Sequence, residues 1–310
     1  MENFKIGLLE FGLRDASMNS LQIINDVIEY AQKADELGFS RFWLAEHHYP
    51  SKRRAWNSPT PLVPILAAST HKIKIGTAGV LLGIHNPYHV AANYKLLANL
   101  FPRRIDLGIA NGVVQGAVCQ RTVGLSSFSE VRKTFEGRSR ELVEILRNED
   151  ELFNPEDGIS LPPFRGKLPE IWTLSTSAKG IYRAIDLEAN FCRSIFHEGA
   201  DMTFDKEIIA EYREVFENRY GYKPTFSVSV HGFCSTDSDL IRTMRANYEE
   251  KPKGWLIGEP SAFYEQAMIL AQNYGGIDEL IIMDIGEKPA HRVESMELIA
   301  EIFTTEYAVS

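Results

Sequence analysis

Apolar and polar positions follow two rhythms along this chain, and the rhythms alternate. Apolar runs near residues 4–9, 39–45, 71–77, 105–110, 171–174, 191–196, 225–233 and 277–283 read as strands. Between them lie segments with apolar residues at helical spacing. The first, 20–37, aligns Leu21, Ile23, Ile24, Val27, Ala31, Ala34 and Leu37; Asn19 or Ser20 can cap it and Gly38 ends it. Further helices are predicted over 61–70, 87–100, 129–147, 177–187, from Phe204 to Phe216, through Ile241 and Met244, and over 261–274 and 289–303. Eight strands alternating with helices predict an α/β fold, a single (β/α)8 TIM barrel over residues 1–310 rather than two domains. Residues 113–128, 148–169 and 249–260 lack that periodicity and are expected to be loop or lid insertions.

Composition narrows the partners. The chain is 44% hydrophobic and 24% charged, as globular proteins are. Lys plus Arg total 33 against 42 Asp plus Glu, and this acidic balance argues against a nucleic-acid surface. Cys119, Cys192 and Cys234 are widely separated, which suits reduced thiols, and no spacing of metal ligands stands out. The start of the sequence lacks the basic region and cleavage pattern of a signal peptide, and no apolar run is long enough for a bilayer. A soluble cytoplasmic protein is the expectation.

The strand at 39–45 ends abruptly in Glu46, His47 and His48. Barrel enzymes place their chemistry at the carboxyl ends of strands, so these groups are the first candidates. A histidine changes charge near neutral pH, so His47 can exchange protons with a bound substrate; a buried hydrogen-bonding histidine is the equal alternative. Glu46 can orient that imidazole or close a local ion pair, while His48 reads as structural or as part of the site wall. Lys52, Arg53 and Arg54 read first as a solvated basic turn, with a substrate-facing role as the lesser reading. Residues 78–83 are apolar and glycine-marked, as a cavity lining is. Asn111 and Gly112 suit either a ligand contact or a turn. Ser175, Thr176 and Ser177 stand between a strand and a helix, where hydroxyls and helix-end amides can hold phosphate or simply cap the helix. His85-Asn86-Pro87 is a polar wall or a helix entrance. Cys119 has no adjacent base and reads as inert.

Several of these stretches, in this order, resemble the bacterial luciferase-like family of flavin-dependent monooxygenases. The landmarks are Trp43 to His48, Gly76 to Leu82, His85-Asn86-Pro87, Asp106 to Gly112, Ile257 to Pro260 and Gly276 to Leu280. The resemblance implies a (β/α)8 barrel that uses reduced FMN and molecular oxygen to oxygenate a small, partly apolar organic substrate. It implies a separate NAD(P)H-dependent flavin reductase as partner, and a homodimer. His47 matches the family's catalytic histidine, with Glu46 beside it. Ala78-Gly79 matches a cis peptide beneath the flavin ring, and Asn111, Gly112, Ser175, Thr176 and Ser177 match the cofactor's surroundings. Asn111 departs from the family pattern, which has a phosphate-binding arginine there. Some relatives use the deazaflavin F420, so an F420-dependent oxidoreductase is the alternative, and a non-catalytic flavin-binding or storage protein is a third reading.

Overall fold

The computed structural model describes residues 4–305, apart from 15–16, 50, 52–53, 155, 157, 178, 198–199, 201–205 and 249–253. Its strands are β1 (Lys5–Glu10), β2 (Arg41–Leu44), β3 (Lys74–Leu81), β4 (Ile105–Ala110), β5 (Glu170–Ser175), β6 (Asn190–Ser194), β7 (Phe226–Cys234), β8 (Trp255–Gly258) and β9 (Glu279–Asp284). Its helices are α1 (Ser20–Glu36), α2 (Leu62–Ser69), α3 (Pro87–Leu100), α4 (Gly116–Val123), α5 (Phe128–Arg147), α6 (Glu149–Leu152), α7 (Lys179–Asp186), α8 (Lys206–Tyr220), α9 (Ser238–Tyr248), α10 (Pro260–Asn273) and α11 (Pro289–Thr305). All strand pairings are parallel: β1 to β7 pair in chain order, and β9 closes the ring between β7 and β1. The fold is a closed eight-stranded barrel with its helices outside, as the alternation predicts.

Two differences from the sequence reading concern the expected insertions. Within 249–260, residues 254–260 are not a lid: Trp255–Gly258 is a strand, paired with His231–Cys234 of β7 just past the point where β6 leaves it. Gly254 makes this possible, because a Cβ there would stand 2.1 Å from the Ile195 carbonyl oxygen. Residues 249–253 lie outside the described residues, as does Phe204 of the predicted helix. Within 113–128, Gly116–Val123 forms α4, closed by Gly124 at φ +70°. Among the described residues of 148–169 the one helix is the short α6, and the Pro162-Pro163 bond is cis.

Strand alternation sorts the core into an outer layer and a filled lumen. Phe42, Ile75, Phe191, Phe226 and Leu280 face outward and pack with Val27, Ala31, Tyr94 and Tyr212 of the helices. Their neighbours Trp43, Trp172, Cys192 and Ile281 face inward with Leu9, Phe11 and Ala45. Arg41, at the amino end of β2, also points inward and is nearly sealed from solvent. It pairs with Asp106 at 2.6 Å and with Glu279, and lies over the Trp172 ring at 4.3 Å. Trp43 Nε1 donates to the same Asp106 oxygen at 2.8 Å. A buried ionic plug thus closes one end of the barrel and leaves the carboxyl end for chemistry.

Candidate active site

The strand exits bring the sequence candidates to one end of the barrel. Glu46 and His47 follow β2, Ala78 and Gly79 lie in β3, Asn111 and Gly112 follow β4, and Ser175 to Ser177 end β5. These four strands are consecutive neighbours in the sheet, so the candidates form an arc. The Ala78-Gly79 bond is cis. Gly79 lies against β4 so closely that a Cβ would meet the Gly108 and Ile109 backbone at 2.9 Å. Ala78 is half-buried against the lumen cluster of Trp43 and Trp172.

Adjacent residues Glu46 and His47 turn to different partners. The buried Glu46 carboxylate accepts from His48 Nε2 at 2.7 Å, from His85 Nε2 at 2.6 Å and from the Leu81 amide at 3.0 Å. It therefore binds the exits of β2 and β3 together and does not orient His47, as the sequence reading allowed it to. Burial would raise its carboxyl, but the His48 and His85 hydrogen bonds, with Leu81, hold it down at about 2. His48, read from sequence as structural or as site wall, and His85, read as part of a polar wall or helix entrance, are thus Glu46's partners. These three side chains could also present ligand atoms to a metal ion. Two ligands of one zinc ion stand roughly 3.3 Å apart from tetrahedral geometry, so the shorter separations here are those of hydrogen bonds.

His47 turns instead toward the mouth. Its ring stacks on Phe11 at 4.7 Å between centroids and lies 6.1 Å from the Tyr49 ring. Its backbone amide donates to Asn57 at 3.1 Å, while Nδ1 is shielded from solvent without a hydrogen-bond partner. Burial, and then the charge of Arg54, push its imidazole down to about 3, so it is neutral at neutral pH. A neutral imidazole with one nitrogen unengaged can give or accept a hydrogen bond at a group bound beside it. Phe11 continues the wall to Phe196 at 6.1 Å, which lies 4.5 Å from His231 of β7. The mouth beside His47 is therefore aromatic and partly apolar.

At the far end of the arc, Ser175 Oγ accepts from the Ser177 amide at 3.1 Å, so the hydroxyl turn is fixed by its own hydrogen bonds. Ser175, Thr176 and Ser177 are half-buried, as are Asn111 and Gly112. Gly112 packs on Leu81, where a Cβ would lie 2.8 Å from a side-chain methyl. Cys119 is fully buried and donates weakly to the Val114 carbonyl, consistent with an inert thiol. Nearby, Trp56 is buried behind Gly12 and Tyr88 is exposed on α3 beside His89.

Sequence reasoning missed a buried ionic group at the exits of β1 and β9. Glu10 accepts from Arg14, Arg292 and the Gly12 amide, and Arg292 lies over the Tyr30 ring. Burial would raise the Glu10 carboxyl, but Arg292 and Arg14 hold it below its usual range. No local pattern announces a pair separated by nearly the whole chain; a lone Glu inside an apolar strand was the available sign.

A crystal structure of apo-MsnO8 superposes with a TM-score of 0.81 at 23% identity, over 97% of this chain and 99% of that one. The oxygenating constituent of the Pseudomonas putida 3,6-diketocamphane monooxygenase, in complex with FMN, gives 0.75 at 18% identity, over 98% and 99%. The Bacillus subtilis N-acetyl-S-alkylcysteine monooxygenase is 28% identical over 214 residues, 69% of this chain and 62% of that relative. The family model described as luciferase-like monooxygenase matches residues 5–301, from the first strand into the last helix. With the whole barrel inside that match, the chain belongs to the luciferase-like monooxygenase family, a class of flavin-dependent enzymes.

Proposed function

We propose that this protein is the oxygenating component of a two-component system. It takes reduced FMN from a separate NAD(P)H-dependent reductase and, with molecular oxygen, oxygenates a small, partly apolar organic molecule. The observation that carries this reading is His47, neutral, stacked on Phe11 and holding a buried Nδ1 without a partner. The sulfur compound in the name of the Bacillus relative and the FMN in the Pseudomonas structure agree with it.

The residues present fit the flavin. Ala78 and Gly79 offer a flat, small-residue floor; Asn111 and Gly112 border it; Ser175, Thr176 and Ser177 supply hydroxyls for the phosphate. Three hydroxyls with helix-end amides replace the formal charge that Asn111 does not provide. When bound, reduced FMN supplies the electrons that activate oxygen. His47, kept neutral, holds a hydrogen bond through Nδ1 next to the reacting atoms. Glu46 acts as a positioning residue, holding the β2 and β3 exits in register through His48, His85 and Leu81. Phe11, Phe196 and His231 exclude water and receive the apolar part of the substrate. A homodimer, as the family resemblance implies, is part of the proposal.

Anaerobic protein mixed with reduced FMN, then exposed to oxygen, tests this directly. The return of oxidised-flavin absorbance should be slower on the protein than in free solution, and His47→Gln should restore the fast return. Return at the free rate in the wild type overturns the reading. Reaction with F420 in a parallel sample, without oxygen consumption, would establish the deazaflavin alternative instead.

A further inference from the structure

The loop after β2 carries a charge that the described residues leave unanswered. Arg54 is half-buried; its Nε and Nη1 are shielded from solvent and meet no hydrogen-bond partner. The fully buried arginines each have one: Arg14 and Arg292 meet Glu10, Arg41 meets Asp106, and Arg193 reaches the Ser194 carbonyl at 3.3 Å; the half-buried Arg104 is held by the carbonyls of Ile73, Ala67 and Thr70. Two guanidinium nitrogens shielded from water without an acceptor are costly, and an acceptor bound there would offset that cost.

Nor can the backbone easily carry Arg54 away. Arg54 forms an antiparallel bridge with Leu13, and the Ala55 amide donates to Gly12 at 3.0 Å. Trp56 Nε1 donates to the Ala45 carbonyl at 3.0 Å, and the Asn57 carbonyl accepts from His47. Gly12, at φ +64°, lies under the Trp56 ring so closely that a Cβ would stand 2.6 Å from it. The segment is thus tied to the exits of both β1 and β2, beside Phe11 and His47. Among the charges that act on His47, Arg54 is the strongest.

We propose that Arg54 is the anion-recognition residue of the substrate site. It pairs with a carboxylate-type group of the organic substrate and so sets the apolar remainder against Phe11 and His47. This inference rests on the monooxygenase reading above and narrows it to amphipathic acids. Arginine suits the task because its planar donors match a carboxylate and stay charged. The cofactor's phosphate is the other anion to consider. Its candidate hydroxyls lie at the exit of β5, whereas Arg54 hangs between the exits of β1 and β2, with β3 and β4 intervening in the sheet.

Equilibrium binding tests this without turnover. N-acetyl-S-butylcysteine and phenylacetate, each against its uncharged primary carboxamide, are titrated into the wild type, Arg54→Met and Arg54→Lys, with and without oxidised FMN. The FMN affinity of each protein is measured alongside, and thermal unfolding checks their folding. Wild type should bind the carboxylates about tenfold or more tightly than the amides, as expected for one charged hydrogen-bonding contact. That preference should collapse toward unity in Arg54→Met and survive in part in Arg54→Lys. A carboxylate preference that persists in Arg54→Met overturns the proposal, as does the absence of saturable carboxylate binding to the wild type. Weaker FMN binding in Arg54→Met without a carboxylate preference in the wild type assigns the charge to the cofactor's phosphate and overturns it too. Because no readout depends on flavin oxidation, failure here is distinct from failure of the oxygenation reading.

Discussion

Two neighbouring side chains at the end of β2 divide the chemistry between them. Glu46 is held by hydrogen bonds from residues 48, 81 and 85, while His47 is left stacked on Phe11 with a nitrogen to spare. Sequence reasoning singles out both, since an acid and two histidines are conspicuous after an apolar strand. It could not assign their partners, because His85 lies 39 positions away and reaches Glu46 only through the pairing of β2 with β3. The shifted imidazole has a measurable consequence. Burial holds the folded pKa of His47 at about 3 against an ordinary 6.5, so the unfolded chain takes up that proton first as pH falls. Stability from His47 is complete above pH 6.5 and is lost progressively as pH falls toward 3, by up to about 1.4 kcal/mol per pH unit. His197, also lowered by burial, adds a slope of the same sign. Urea titrations between pH 6.5 and 5.5, above the 4.5 at which an unfolded Glu46 takes up its proton, should therefore show a flatter decline in His47→Gln than in the wild type. Equal slopes would mean that His47 is not buried neutral.

Element boundaries were most legible where capping chemistry is local. Asn19 forms a capping box with Gln22 at the start of α1, and Gly38 ends it at φ +83°. Asn86 caps α3 by accepting the His89 amide at 3.2 Å, with Pro87 in the first turn. Asn86→Ala should cost about 1 kcal/mol of stability, read as a lowered urea midpoint at unchanged slope. A neutral result would show that Pro87 alone fixes this entrance. α5 starts one residue before the predicted 129, because Ser127 and Glu130 form a second capping box there. β8 was hidden for the opposite reason. Three residues between Gly254 and Gly258 resemble a crossing, and only contact with the Ile195 backbone explains why Gly254 must lack a side chain.

At the scale of the whole barrel, stability and chemistry occupy opposite ends. The plug of Arg41, Asp106 and Glu279 joins the amino-terminal parts of β2, β4 and β9, whose sequence separations conceal it entirely. Arg41→Met leaves buried carboxylates without their cation and should cost about 3–5 kcal/mol, measured by chemical denaturation. FMN affinity of the folded variant should stay near that of the wild type; a parallel loss would mean that the two ends are coupled. The sequence by itself determined the order of the eight barrel strands and their intervening helices, and the strand exits that carry Glu46, His47, Asn111 and Ser175. Those features follow from local periodicity and from neighbours in the chain. Only the tertiary structure decided that Glu46 serves His48 and His85, that Arg41 is a buried plug, and that Arg54 stands unpaired beside His47. Each of these depends on which distant groups the closing of the sheet brings within hydrogen-bond reach, and which it leaves without a partner.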